Sequence, residues 1–187
     1  KEFDYLLKGH SHYFESKKKI FEKGVKYWLK QLPEIKELMD LGKSDKNILK
    51  KTYKINPIFI IGVPRCGSTL IEKVISSGKE FIPIGEETSV LENFINAKIL
   101  EKKSLNLGNI KNLRDELFNI YKNKGLVSKK YSYIFTDKSL NNFFYLELIK
   151  EIYPNAKIIN CRRDVLSSIV SIFQNNLSEL AWTHDLE

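Results

Sequence analysis

The sequence predicts an α/β fold in which a mostly parallel sheet is flanked by helices and preceded by a helical segment. Short apolar runs alternate with helical patterns from residue 57 onward, as in parallel-sheet folds. Polar clusters follow three of these runs, at the strand ends where such sheets bind ligands. We therefore expect two parts, a helical segment over residues 1–53 and an α/β domain over residues 54–187.

The first part has the periodicity of an amphipathic helix. Five apolar residues recur at 3.6-residue spacing and predict one apolar face: Phe21, Val25, Trp28, Leu29 and Leu32. Pro33 suits the first turn of a second helix, which Gly42 can end. We interpret the segment as one or two helical hairpins, the remnant of a repeat array.

The second part opens with "PIFIIG" (57–62), a fully apolar run typical of a buried parallel strand. A helix follows, with one apolar face formed by Leu70, Ile71, Val74 and Ile75. "FIPIG" (81–85) is a weaker strand candidate, and "SYIFTD" (132–137) and "AKIINC" (156–161) are predicted strands. Further helices are predicted from apolar faces that begin at Val90, Ile110 and Leu140, and another begins after Asp164.

The composition narrows the classes of function. The net charge is +8, from 31 Lys and Arg against 23 Asp and Glu, which indicates either a solvated lysine-rich surface or a field that attracts an anionic ligand. The basic residues are scattered without a zinc-finger, RNP or basic-helix signature, so nucleic acid is not an expected partner. No apolar run of about 18 residues occurs, so no membrane span is expected.

Cysteine and histidine usage predicts neither a disulfide framework nor a metal site. The chain has two cysteines, Cys66 and Cys161, and neither their number nor their spacing fits a disulfide framework or a zinc site. His10 and His12 are followed by no further ligands at metal-site spacing. A reducing compartment fits, and the lack of a signal peptide predicts a cytoplasmic location. The missing initiator Met and the ending "SELAWTHDLE" predict a fragment truncated at its C-terminus.

The stretch "GVPRCGST" (62–69) has the pattern of a phosphate-binding loop. Gly62 and Gly67 allow backbone amides to approach an anion, and the following helix adds the positive end of its dipole. The arrangement is of P-loop type, but Ser68 replaces the lysine that reaches the β- and γ-phosphates in nucleotide triphosphatases. Arg65 lies two residues before Gly67 instead.

Two other interpretations of this loop stay open on its residues alone, an incidental strand-to-helix turn and a degenerate triphosphatase loop. A tyrosine-phosphatase loop is excluded on spacing. Cys66 would need an Arg six positions later, where the chain has Glu72.

Three motifs in order, "GVPRCGSTL", "GEET" and "CRRDVLSSIVS", resemble those of sulfotransferases that use 3′-phosphoadenosine 5′-phosphosulfate (PAPS). The chain is most similar to the tyrosylprotein sulfotransferases and their bacterial relatives with tetratricopeptide-repeat extensions. The resemblance covers residues 57–175, and residues 1–53 would be a remnant of the extension. It implies transfer of a sulfuryl group to a hydroxyl of protein tyrosine, a carbohydrate or a small molecule, with no required metal.

The resemblance also explains the missing lysine, because PAPS has no γ-phosphate. It implies that Arg65 meets the 5′-phosphate or the departing sulfonate. The phosphate would lie in a cradle of backbone amides, from Cys66, Gly67, Ser68, Thr69 and Leu70. Family members often have Ser at the position of Cys66, and backbone donation survives that change, so Cys66 is not interpreted as a nucleophile.

For the 3′-phosphate of PAPS, the resemblance implies a clamp of Arg163 and Ser171. Arg163 follows a predicted strand, and Ser171 lies eight residues later on the helix that Asp164 is predicted to cap. Eight residues of helix span about 12 Å, which a long arginine side chain can bridge. Arg162 is interpreted as a surface or acceptor-side charge.

Sulfuryl transfer needs a base for the incoming hydroxyl and a cation for the departing phosphate. "GEET" offers Glu86 and Glu87. The resemblance to tyrosylprotein enzymes favours Glu87, while many bacterial relatives keep only the first acid, so Glu86 stays open. Lys138 in "TDKS" is the implied cation beside Arg65, and Asp137 is expected to orient its neighbours.

Two other classes of function compete with this interpretation. An ATP- or GTP-using P-loop protein would bind triphosphates with Mg²⁺. A non-catalytic helical interaction module with a decayed nucleotide fold would bind no adenosine 3′,5′-bisphosphate. The sequence leaves the acceptor and the oligomeric state open.

Overall fold

A computed structural model describes residues 1–31, 55–78, 80–100, 110–127, 133–175, 177–178 and 180–185. Backbone contacts divide the chain into two compact units. One comprises residues 38–162, and the other comprises residues 1–37 together with 163–187. The predicted helix from Pro33 to Gly42 and the predicted domain boundary after residue 53 lie outside the described residues.

The unit of residues 38–162 is built on the predicted parallel sheet. Strand β1 (Ile58–Gly62) lies between β2 (Thr136–Asp137) and β3 (Lys157–Cys161), and both neighbours run parallel to it. The unbroken apolar run makes β1 the central strand, because its residues 59–61 are all buried. The α/β fold class predicted from the sequence is confirmed.

Helices fill the connections of this unit. After β1 come α2 (Ser68–Ser76), α3 (Val90–Leu100) and α4 (Ile110–Asn123), and after β2 come a 3₁₀ turn (Leu140–Tyr145) and α5 (Leu146–Ile152). The core is formed by large apolar side chains of the sheet and helices, among them Phe59, Ile60, Leu91, Ile95, Leu117, Phe135 and Ile149. The buried side chain of Arg114 caps the C-terminus of α5, because it donates to the carbonyls of Glu151, at 3.0 Å, and of Ile152.

Two of the predicted strands differ from the structure. Within the described part of "SYIFTD", residues 133–137, only Thr136–Asp137 forms strand, although Phe135 still meets β1 because the Ile58 amide donates to its carbonyl at 2.8 Å. "FIPIG" forms no strand. Pro83 has no N–H to donate, and its carbonyl accepts from the Thr136 amide at 3.0 Å and lies 3.4 Å from the Thr136 hydroxyl oxygen.

The apolar face predicted for α2 is also wrong in part. Leu70 and Val74 are 66% and 61% exposed, and Ile75 alone is half-buried against the core cluster around Ile60. The buried side chains of α2 are those of Ser68 and Glu72. Polar partners on the sheet therefore decide which face of α2 is buried.

The other unit contains α1 (Glu2–Lys26), a π-helical turn (Tyr27–Gln31), α6 (Val165–Gln174) and a 3₁₀ turn (Ala181–His184). The helix predicted before residue 30 is present, but its predicted face is only half-buried and Leu29 is exposed, while Leu32 lies outside the described residues. Among the residues described, the helices include none that is long and apolar enough to cross a bilayer.

A buried histidine pair joins α1 to the C-terminal 3₁₀ turn within this unit. The Nδ1 atoms of His10 and His184 lie 2.8 Å apart, and His10 Nε2 lies 2.8 Å from the Phe173 carbonyl oxygen. Because a carbonyl only accepts, His10 Nε2 donates to the Phe173 carbonyl, and His184 Nε2 faces the Leu177 carbonyl oxygen at 3.4 Å. Burial lowers the pKa of His184, the Leu177 carbonyl partly offsets this, and the facing His10 lowers the pKa further.

Candidate active site

Lys138 is the centre of a polar cluster at the end of β2. Its Nζ atom donates to Thr69 Oγ1 at 3.0 Å and lies 3.9 Å from Glu87 Oε1 and 4.0 Å from Glu72 Oε2. The Lys138 side chain is only 7% exposed. The adjacent strands β1 and β2 thus bring Thr69 of the glycine loop and Lys138 of "TDKS" into contact, as expected for adjacent strand ends, and Glu87 of "GEET" lies against the same ammonium.

The "GEET" segment is held beside β2 by its backbone. The Lys138 amide donates to the Glu86 carbonyl at 2.9 Å, and the Gly85 amide donates to Thr136 Oγ1 at 3.0 Å. A Cβ atom on residue 85 would lie 1.8 Å from the Thr136 carbonyl oxygen, so only glycine fits. This close approach fixes the position of the backbone that leads into Glu87.

The glycine loop presents three backbone amides. Gly67 adopts a left-handed conformation, with φ of 91°, and is the N-cap of α2. Within the described chain, the amides of Gly67, Ser68 and Thr69 donate to no backbone carbonyl, whereas those of Cys66 and Leu70 already donate to the carbonyls of Val63 and Gly67. In this conformation, three of the five amides predicted to form the cradle are open to an anion.

Left-handed backbone is concentrated in the two loops around Lys138. Among the described residues, the non-glycine residues with positive φ are Arg65 (66°), Glu86 (41°) and Ser89 (49°). Each such conformation costs about 1–3 kcal/mol and persists where surrounding contacts impose it. Two of the residues predicted for the site, Arg65 and Glu86, are therefore held in strained conformations.

The two cysteines pack beneath the loop. Gly62 has φ of 155°, and a Cβ there would lie 2.8 Å from Cys66 Sγ and 2.7 Å from the Cys161 carbonyl oxygen. Burial raises the pKa of the Cys161 thiol, and the neighbouring Cys66 thiol, which is hydrogen-bonded to it, raises it further. Cys66 is buried in an apolar cluster with Ile60 and Cys161, which supports its interpretation as a packing residue rather than a nucleophile.

Asp137 anchors the residues behind Lys138. Its carboxylate accepts four hydrogen bonds, from Thr88 Oγ1 (3.2 Å), Tyr121 Oη (2.7 Å), the Ser139 amide (3.0 Å) and Asn142 Nδ2 (3.1 Å). Burial raises the pKa of Tyr121, and the Asp137 charge raises it further, so Tyr121 donates a stable hydrogen bond. These four partners come from three separate segments of the chain. Sequence analysis singled out Asp137 but none of the partners.

The two acids of "GEET" face different surroundings. The side chain of Glu87 is 68% exposed, and its carboxylate reaches Lys138. Glu86 lines an adjacent cleft of about 400 Å³, whose other lining residues are Ile84, Gly85, Thr88, Lys124 and Leu126. Both acids are therefore accessible, and only Glu87 contacts the ammonium.

Arg163 and Ser171, the residues predicted to bind the 3′-phosphate, belong to the other compact unit. There Asp164 caps α6 as predicted, since its carboxylate accepts from the Ser167 amide at 2.8 Å, and that bond lowers the pKa of Asp164. The Ser168 hydroxyl bonds the Asp164 carbonyl within the helix. Ser168 thus has a local structural role, and the clamp of Arg163 and Ser171 stays a prediction.

A family model described as the sulfotransferase family matches residues 57–187, which include the whole Lys138 cluster. The chain belongs to the sulfotransferase family. The match starts at β1 and takes in all three motifs on which the resemblance was recognised. Membership confirms the suspected family.

A relative of this sulfotransferase chain is an uncharacterized protein of Aquifex aeolicus (strain VF5), which is 30% identical over 134 residues. The aligned part covers 65% of this chain and 17% of the relative, so the chain spans about a sixth of that protein's length. No solved structure matches the chain.

Glu72 is another residue of the site that sequence analysis did not identify. It had been used only to exclude a phosphatase loop, yet it is 1% exposed and contacts both Lys138 and the "GEET" backbone. The available signal was an acid one turn into the helix that follows the loop, on a short helix otherwise rich in apolar residues.

Proposed function

We propose that this sulfotransferase moves the sulfuryl group of PAPS to a hydroxyl acceptor by in-line displacement, with a glutamate as base. The observation that carries the proposal is the position of Lys138, which joins Thr69 of the phosphate-type loop to Glu87. A cation between an anion cradle and an exposed carboxylate is the arrangement that this reaction requires.

The donor end of the site is the loop before α2. The open amides of Gly67, Ser68 and Thr69 and the N-terminus of α2 would bind the 5′-phosphate, with Cys66 and Leu70 contributing by resemblance. Arg65 would add its guanidinium to the phosphate or sulfonate. Oxygen-rich anions suit these donors, and none of the steps calls for a metal.

The step itself forms one bond and breaks one. The acceptor oxygen attacks sulfur while the bond between sulfur and the bridging oxygen of the 5′-phosphate breaks, and the electron pair leaves with adenosine 3′,5′-bisphosphate. The hydroxyl proton passes to the glutamate carboxylate. Lys138 and Arg65 stabilise the charge that grows on the departing phosphate.

Glu87 is the preferred base. Its carboxylate is exposed to an acceptor and lies next to the cation that meets the leaving group, which supports the assignment. Glu86 is the alternative, because it lines the cleft beside the cluster. That cleft is the place proposed for the acceptor, whether a protein tyrosine, a carbohydrate or a small molecule.

Arg163 and Ser171 are proposed to bind the 3′-phosphate. The assignment rests on the resemblance of "CRRDVLSSIVS" to the family motif and on the planar guanidinium, which suits phosphate oxygens. A cytoplasmic location and an origin of residues 1–53 in a tetratricopeptide-type extension belong to the same proposal.

Thermal unfolding of the chain with adenosine 3′,5′-bisphosphate, compared with ATP and Mg²⁺, tests the proposal. A specific ligand at about 100 times its dissociation constant adds about 2.7 kcal/mol of stability, and we expect this for the bisphosphate alone. Stabilisation by ATP with Mg²⁺ only would identify a triphosphate-binding protein. Stabilisation by neither would identify a non-catalytic module.

Transfer is then measured with radiolabelled PAPS and a panel of a tyrosine peptide, a monosaccharide and 4-nitrophenol. Calorimetry of Arg163→Ala tests the clamp. The variant should lose affinity for the bisphosphate and keep its affinity for adenosine 5′-phosphate, while Arg162→Ala is the matched control. Equal losses for both nucleotides in Arg163→Ala would refute the clamp.

A further inference from the structure

Glu72 is a buried acid that the proposed reaction does not use. It lies on α2, one turn after the glycine loop, and is only 1% exposed. A carboxylate removed from water needs hydrogen-bond donors and a cation to remain in place. Its partners therefore indicate why an acid occupies this position.

One oxygen of Glu72 binds the segments that flank the active site. Oε1 accepts from the Thr136 hydroxyl at 2.6 Å and from the Glu86 amide at 3.1 Å. The Thr136 hydroxyl oxygen in turn accepts from the Gly85 amide at 3.0 Å. Glu72 thus joins α2 to β2 and fixes the backbone immediately before Glu87.

The other oxygen of Glu72 faces the cation. Oε2 lies 4.0 Å from Lys138 Nζ, and both side chains are almost fully buried, at 2% and 7% exposure. On its other sides, the ammonium contacts Thr69 Oγ1 and Glu87 Oε1. Low solvent exposure leaves this ion pair weakly screened, so Glu72 influences where the ammonium rests.

We propose that Glu72 is a positioning residue for the transfer reaction, which holds the Lys138 ammonium against the loop and orients the Glu86–Glu87 backbone. The proposal rests on the proposed function and adds a member to the same site. Glu72 itself is too buried to take a proton from an acceptor. It acts through Lys138, which is the group that would meet the leaving phosphate.

A double-mutant cycle between Glu72→Gln and Lys138→Met separates this role from simple support of the fold. Glutamine keeps an oxygen for the Thr136 hydroxyl and the Glu86 amide and removes the charge that faces Lys138. We expect Glu72→Gln to lower kcat about tenfold or more while the Kd for adenosine 3′,5′-bisphosphate stays within about twofold.

The same substitution made in the Lys138→Met chain should cause no further loss of kcat, because the group through which Glu72 acts is gone. Glu72→Asp keeps the charge and should recover part of the activity lost in Glu72→Gln. It also serves as the second variant if Glu72→Gln does not fold. Glu147→Gln, an exposed acid on α5, is the matched control and should retain wild-type kcat.

Independent losses in the cycle, or a wild-type kcat in Glu72→Gln, would overturn the positioning role. A Glu72→Asp chain no more active than Glu72→Gln would do the same. Failure of the proposed function gives a different result, since the wild-type chain would then neither bind the bisphosphate nor transfer sulfuryl groups. That outcome overturns both proposals, whereas an active wild type with independent losses overturns only this one.

Discussion

The Lys138 ammonium donates to the Thr69 hydroxyl across a distance of 3.0 Å, although the two residues lie 69 positions apart in the sequence. The contact exists because β1 and β2 are adjacent and parallel, so the residues that follow them meet at one edge of the sheet. A buried lysine at this point is held by oxygen atoms on three sides, from Thr69, Glu72 and Glu87.

Replacing Lys138 with Met should lower both transfer and stability. Transfer should fall at least about a hundredfold, as when a group that stabilises the transition-state charge is removed. The free energy of unfolding should fall by about 2 kcal/mol, less than for a fully enclosed ion pair, because Glu72 keeps two hydrogen-bond donors. Denaturant unfolding and the PAPS assay measure the two effects.

Lys111→Met, which removes an exposed lysine on α4, is the matched control for Lys138→Met and should change neither quantity. A Lys138→Met chain with wild-type transfer would remove Lys138 from the proposed machinery.

The choice between Glu86 and Glu87 is settled by comparing their Gln variants. Glu87→Gln should reduce kcat about 10²-fold to 10⁴-fold, the range for loss of a general base, with little change in bisphosphate affinity. Glu86→Gln should change kcat much less, because Glu86 contributes its backbone, through bonds to Lys138 and Glu72. The opposite ranking of the two variants would assign the base to Glu86.

The residues that sequence analysis identified depend on interactions between neighbours in the sequence, whereas those that it missed depend on contacts between distant residues. The glycine loop, the strand ends and the Asp164 cap follow from local patterns, so their places were predictable. Burial of Glu72 depends on a hydroxyl 64 residues away and an amide 14 residues away, which no local pattern records. The same partners bury Glu72, while Leu70 and Val74 of the predicted apolar face are exposed.

Gly85→Ala should unfold or severely destabilise the α/β unit. The new methyl group would lie 1.8 Å from the Thr136 carbonyl and 3.3 Å from Asp137 Cα, both backbone atoms that a rotamer change leaves in place. We expect a loss of about 3 kcal/mol or more, at the upper end for overpacking. Gly78→Ala, where the nearest atom would be 3.5 Å away, is the control and should unfold near wild type in urea.

Tyr121→Phe should remove one hydrogen bond to Asp137 and should make the free energy of unfolding depend less steeply on pH in the alkaline range. Losing the 2.7 Å hydrogen bond to a carboxylate should cost about 1.5–3 kcal/mol at neutral pH. Because the folded state raises the pKa of Tyr121, its stabilisation is complete below the unfolded value of about 10 and is lost as pH rises above it. Urea unfolding at pH 8 and above 10 measures both effects.

Tyr5→Phe, at an exposed tyrosine, is the control for Tyr121→Phe and should leave the neutral stability and the alkaline slope unchanged. An alkaline slope in Tyr121→Phe as steep as in the wild type would show that another group governs unfolding there.

The His10–His184 pair should make the unit of residues 1–37 and 163–187 sensitive to acid. Burial lowers the pKa of His184 in the folded state, so the unfolded chain binds the proton more readily. Stability is therefore fully present above the unfolded pKa of about 6.5 and is lost as pH falls from there through the lower folded value. His184→Asn removes this titration and should unfold with a weaker dependence on pH between about 7.5 and 5.

Tryptophan fluorescence reports this unit specifically, because Trp28 and Trp182 both belong to it. Unfolding followed by fluorescence at the two pH values gives the slope, and His12→Asn on the exposed side of α1 is the matched control that should keep the wild-type slope. If His184→Asn and the wild type lose equal stability on acidification, protonation of the pair is not what destabilises the unit, and its acid sensitivity must come from its carboxylates.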